Sequence, residues 1–283
     1  MTSRREAVGL NTSTQRVCAW AGIGFTVLFC VGFLIAGFIP PPSPRLAVEQ
    51  VAQFYSHNAW RIRIGLLLAT LASALLPLWV AVIGVQMRRV EGQHSPFAFA
   101  QMLAGACLVL EFLFPLLVWQ TAAYRSDRNP QIVQMLNDLG WLPFLGIACT
   151  AVMQGVVIGV LVLRDKRPKP LFPRWTGYFN IWVVIMFAPA SCVVLFHDGP
   201  LAWNGLISWW LALVTFFAWM VVVTWMLLRA ITQQAAHPED AEGIAAAAPS
   251  NASLQREVAE LRGVLELSGL LAGRQDANPR TAP

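Results

Sequence analysis

The stretch Arg164-Asp165-Lys166-Arg167-Pro168-Lys169-Pro170-Leu171-Phe172-Pro173-Arg174 carries five cations against one acid and lies between two long apolar runs. A loop of that charge resists crossing a bilayer and stays on the cytoplasmic side. Once it is placed there, every other apolar run acquires a direction. The runs fall at about 17–39, 64–86, 97–120, 141–163, 178–196 and 202–228. Each is close to the roughly 20 residues that a helix needs to cross the hydrocarbon core. Lipid offers no partner for a backbone N–H or C=O, so spans of this kind are helical. The expectation is an all-α, polytopic transmembrane bundle of about six spans, with the N-terminus and the C-terminus both cytoplasmic.

Composition agrees. Of the 283 residues, 57% are hydrophobic and 12% charged, against about 25% charged in soluble domains. On the expected inner side lie Arg4, Arg5, Arg16, Arg88, Arg89, Arg164, Lys166, Arg167, Lys169, Arg174 and Arg229; on the outer side, Arg45, Arg61, Arg63, Arg125 and Arg128. This asymmetry fits membrane topology and anionic headgroups, so membrane lipids are the expected partners. No Lys/Arg cluster is interleaved with aromatics in a soluble segment, and no nucleic-acid partner is expected. The first apolar run exceeds the roughly 7–15 residues of a signal-peptide core and lacks a clear cleavage site, so it reads as an uncleaved span. The five cysteines all sit in apolar runs, without a Cys-x-x-Cys pair, and read as small hydrophobes.

Three segments result: a cytoplasmic N-terminal segment 1–16, the bundle 17–230, and a cytoplasmic tail 231–283. Two outer loops of the bundle look like short amphipathic helices lying on the interface. In 43–57, Val48, Val51, Ala52 and Tyr55 recur at helical spacing; in 129–140, Asn129-Pro130 gives an N-cap and a first-turn proline before Ile132, Met135, Leu136 and Leu139. Trp60 to Gly65 and Trp141 to Gly146 repeat one spacing after these loops, which suggests a chain of related hairpins. The tail is rich in Ala, Pro and acids over 235–250, a composition of disorder. It then carries Leu254, Val258, Leu261 and Leu265 on one seam of a helix at about 253–271, a candidate for self-association.

Chemistry concentrates around one acid. Glu111 is the only acidic residue within an apolar run, and a charge at a helix centre costs about 2.5–3.5 kcal/mol on insertion scales. It is expected to face the bundle, either locking helix packing through a hydrogen bond or serving as a ligand or proton site. Pro115 frees the carbonyl of Glu111, and Pro77 frees that of Ser73. Ser73, Glu111 and Thr150 each lie about nine residues from the outer ends of their spans, roughly 13 Å deep. Together they define a candidate ligand site, with Arg61, Arg63 and His197 above it. Gln154 reads as interhelical glue. His57, His94, His197 and His237 are far apart and no two of them pair at i+3 or i+4, so no metal site is expected. No catalytic motif or cofactor-binding motif is present.

The segments Leu171-Phe172-Pro173-Arg174-Trp175-Thr176-Gly177-Tyr178-Phe179-Asn180-Ile181-Trp182 and Gly199-Pro200-Leu201-Ala202-Trp203-Asn204-Gly205 carry a resemblance. With Trp60-Arg61-Ile62-Arg63 and Asn137-Asp138-Leu139-Gly140-Trp141, they resemble a family of bacterial multi-span integral membrane proteins bearing a domain of unknown function. The resemblance covers about 17–231. It implies a six-span bundle in the bacterial inner (plasma) membrane, and no catalytic residues. Within it, Asn180 is placed to hydrogen-bond a neighbouring helix, and Arg174 and Trp175 to anchor at the headgroups.

Three functional readings follow. The first is a non-enzymatic membrane protein that binds a lipid or small apolar ligand or acts as an accessory subunit. The alternative is a secondary transporter of a small or amphipathic solute with Glu111 as its proton-coupled site, in a bundle kinked at Pro77, Pro115 and Pro189. The last is a lipid-modifying enzyme using His57, His197 or Glu111 as acid or base.

Overall fold

The computed structural model describes residues 2–92, 94–236 and 258–261, with side-chain surroundings from residue 11 onward. The described residues are helical and contain no strand. Six segments are long and apolar enough to cross a bilayer: Asn11–Ala36, Ala59–Glu91, Pro96–Tyr124, Pro130–Arg164, Arg174–Leu195 and Leu206–Ala236. They expose large aliphatic side chains that water would not tolerate, such as Leu67, Leu71, Leu103, Leu110 and Val214. The chain is a multi-pass membrane protein. The chain divides into two units, Met1–Pro238 and Glu239–Pro283; in the second, only Val258–Leu261, one turn of helix, is described. Of the expected tail disorder at 235–250, Ala235 and Ala236 are instead the last residues of the sixth span's helix; the rest of that stretch, and most of the expected 253–271 helix with its self-association seam, lie outside the described residues.

The first span is helix α1 (Thr2–Ala36), so residues 2–16 of the polar segment extend the span as helix. α1 ends at Gly37, whose positive φ lets Phe38 N–H reach the Phe33 carbonyl and Gly37 N–H the Leu34 carbonyl. The Phe33 and Phe38 rings, 5.7 Å apart, complete this Schellman stop. The short helix α2 (Val48–His57) follows, as its apolar spacing implies, and buries Val51 and Tyr55.

The second span is two helices, α3 (Ala59–Ser73) and α4 (Leu76–Glu91). Pro77 has no N–H for the Ser73 carbonyl and its ring crowds it, so the chain tightens at Ala74–Leu75 and restarts. α3 lies against α1 through two small-xxx-small faces, Gly32/Ala36 and Gly65/Ala69. A Cβ on either glycine would collide with the carbonyl of the other.

α5 (Pro96–Tyr124) is one continuous helix despite Pro115. α6 (Pro130–Gly146) is where the structure departs from the sequence reading. The outer amphipathic helix and the start of the fourth span are one helix, running straight through Trp141. The chain breaks at Ile147–Ala148, after Pro143 and Gly146, before α7 (Cys149–Arg164). α8 (Arg174–Phe187) packs on α7, with Gly177 meeting Gly159. At Pro189 the span tightens into a 3-10 helix, Ala188–Leu195. The sixth span opens with a π-helical turn, Leu206–Leu211, before α9 (Ala212–Ala236).

Buried polar side chains hold the helices in register. Trp79 donates to Thr224 and Trp219 to Asn180, both at 2.9 Å, the second as the sequence implied for Asn180. Gln86 donates to Gln15 and Gln234, joining three spans near the chain ends. Gln101 donates to Gln154 at 3.4 Å, between α5 and α7. With six spans, α1 begins on the same face on which α9 ends. This terminal face also carries the 164–174 loop; the opposite, hairpin face carries α2.

Candidate functional site

Three spans abandon α-geometry at a common place, and a cavity of about 90 Å³ lies there. The α6–α7 break contributes Phe144, Leu145, Ala148 and Ala151; the fifth span, Phe187 and Ala190. The π-turn and start of α9 contribute Trp209, Ala212 and Phe216, while Phe29 of α1 and Leu108 and Phe112 of α5 close the remaining sides. The physical origin is local. Prolines and a π-turn prevent the helices from continuing in close contact, and four alanines leave the space unfilled. A water needs only about 10–15 Å³ by a comparable measure, so the cavity is several waters large.

Its wall is apolar except at two points. Glu111, on α5, accepts a hydrogen bond from the Thr150 hydroxyl in the first turn of α7. That turn follows the break, and its N-cap position, Ala148, has no side-chain cap. Among the described residues, no basic side chain pairs with Glu111. Trp209 is 1% exposed, and its indole N–H has no hydrogen-bond partner.

Of the residues singled out in the sequence, the structure thus joins Glu111 and Thr150. Ser73 is buried but turned back on its own helix, donating to the Ala69 carbonyl at 3.0 Å, and it does not line the cavity. Arg63 caps α5. Its guanidinium donates to the carbonyls of Ala123 and Tyr124 at 2.7–2.9 Å and lies between the rings of Trp60 and Tyr124. Cations at a helix C-terminus are favoured there, so its role is structural. Arg61 and His197 are exposed on the hairpin face, and neither lines the cavity. His57 hydrogen-bonds the Gln53 carbonyl of its own helix. Among the described residues, no group of three or more His, Cys, Asp or Glu side chains could hold a metal ion.

The hairpin face is fastened down. Tyr55 donates to Asn137 at 3.1 Å, which pins α2 on α6, and burial together with the nearby Asp138 charge holds the Tyr55 phenol well above its ordinary range. Trp203 donates to the Pro42 carbonyl at 2.7 Å, and Arg45 pairs with Asp198.

Compared with known protein families, curated proteins and solved structures, the chain matches none. The cavity therefore has to be read from its own chemistry. A second hollow, about 300 Å³ between α4 and α5, is lined by residues such as Pro77, Val80, Met102 and Val109 and has no polar side chain in its wall. It offers nothing to orient a ligand. The first cavity does, because concave apolar walls with a few placed polar groups are the usual form of a ligand site.

The residues that build the wall were mostly not identifiable as site residues in advance. Phe29, Phe112, Phe144, Phe216 and Trp209 sit on four spans among many other aromatics. Pro143 with Gly146 was the readable signal: a proline three residues before a glycine inside an apolar run marks a break.

Proposed function

We propose that this protein binds a lipid chain or small apolar molecule in the cavity where the fourth, fifth and sixth spans leave α-geometry. The carrying observation is the combination of a walled apolar space and one carboxyl on its wall. Discontinuous helices in membrane proteins recur at binding sites because they free backbone and space that a continuous helix would close. Nothing in the wall resembles a nucleophile with its base, so binding, rather than a reaction, fits it. We further propose that the terminal face is cytosolic, in the bacterial inner membrane that the family resemblance implies. What supports this is the density of Arg and Lys on that face.

The test is native mass spectrometry of the purified protein, with and without Ala212→Phe, which fills the space. A small apolar or amphipathic molecule should accompany the wild type and be lost from the variant. A wild type that carries nothing, or a bound mass indifferent to the substitution, would refute the reading.

A further inference from the structure

Glu111 faces an apolar space with no described cation to neutralise it, and the space is walled by aromatic rings in mutual contact. Phe29 and Phe112 meet edge-on at 5.1 Å and Phe112 and Phe144 at 5.8 Å, while Phe112 and Phe216 are tilted at 5.6 Å. Phe144 also lies 6.3 Å from Trp209. Ring faces carry negative quadrupole charge and attract cations, most strongly where water is excluded. Thr150 occupies one carboxyl oxygen, which leaves the other for a ligand. An anionic occupant would meet the carboxylate with the wrong sign. A neutral chain would fill the space but use only its apolar wall, offering nothing to the carboxyl oxygen that Thr150 leaves free.

Resting on the cavity reading above, we propose that the occupant is a small lipophilic ammonium cation, its charge on the Glu111 carboxylate and its alkyl shell against the rings of Phe29, Phe112, Phe144 and Phe216. The carboxylate supplies the counter-charge, and the rings replace the water that the cation gives up. Thr150 is a positioning residue, which holds the carboxyl at the α7 end of the cavity.

Two probes of one shape separate the charge from the fit: benzyltrimethylammonium and neopentylbenzene, which differ in a charged nitrogen against a neutral carbon. Both are titrated calorimetrically into the full-length protein in detergent micelles, with empty micelles as the blank. The cation should bind at least about tenfold more tightly than its neutral isostere. Glu111→Gln, which keeps an acceptor for Thr150, should abolish that preference. Equal binding of the two probes would overturn the charge assignment and leave the apolar-cavity reading intact. Binding of neither would overturn both. A cation preference that survives Glu111→Gln would remove Glu111 as the counter-ion and sink the proposal. Should that variant fail to fold, Phe112→Leu and Phe216→Leu replace it. These should weaken the cation more than the isostere, and equal losses would again overturn the proposal.

Discussion

At the residue scale, Asp165 shows how much one side chain organises. It accepts from the Arg167 guanidinium at 2.7 and 2.8 Å, from the Arg167 N–H and, at 3.0 Å, from the Leu171 N–H. Burial alone would push its carboxyl up, but these hydrogen bonds and the Arg167 charge outweigh burial and hold it below its ordinary value. Because the folded value is lowered, the stabilisation is present above the ordinary carboxylate range. It is lost as pH falls through the lowered value. We expect hydrogen-exchange protection of the Leu171 amide to fall over that acidic window in the wild type. In Asp165→Asn it should be weak at neutral pH as well. Protection in Asp165→Asn equal to the wild type at neutral pH would refute the role. The charge of this loop was legible in the sequence. That it is folded, with Leu171 and Phe172 buried, was not, since that depends on Arg167 also reaching the Arg89 carbonyl of another span.

At the element scale, helix contacts are set by small residues and helix continuity by proline. Gly65 faces Gly32 so closely that a side chain at either position must push α1 and α3 apart. Gly65→Val is expected to destabilise the bundle by about 1–3 kcal/mol, as overpacking does, read as a lower melting temperature in detergent. A variant as stable as the wild type would show that the two helices do not meet there. The same scale explains the differences from the sequence reading. Asn129-Pro130 correctly marked a helix start, with the Asn129 side chain accepting from the Gln131 N–H. The end of that helix was misplaced, because an amphipathic and a fully apolar stretch can share one continuous backbone ladder. The Trp-to-Gly spacing likewise hides two unlike outcomes. Trp60 is 73% exposed and stacks on Arg63, whereas Trp141 is fully buried. Gly65 makes a helix contact, and Gly146 ends a helix.

For the whole molecule, the prediction concerns which face meets the cytosol. Charge asymmetry favours the terminal face, through Lys166, Lys169 and Arg174. A single cysteine at Lys166, introduced with the five native cysteines replaced, should resist a membrane-impermeant maleimide in intact cells. One at Gln53, on the exposed side of α2, should react. The reverse pattern would invert the orientation, while the cavity, which depends on packing alone, would be unaffected.

Length and hydrophobicity by themselves determined the number of spans and their helical state, because lipid leaves the backbone no other way to satisfy its hydrogen bonds. They also singled out Glu111, because a lone carboxyl in an apolar run is costly enough to be conspicuous. Only the tertiary structure decided what that carboxyl faces. Which rings surround it, why Thr150 and not Ser73 is its partner, and where the cavity opens up depend on rotations and breaks of separate helices. Those are settled by contacts between residues far apart in the chain, which no local pattern encodes.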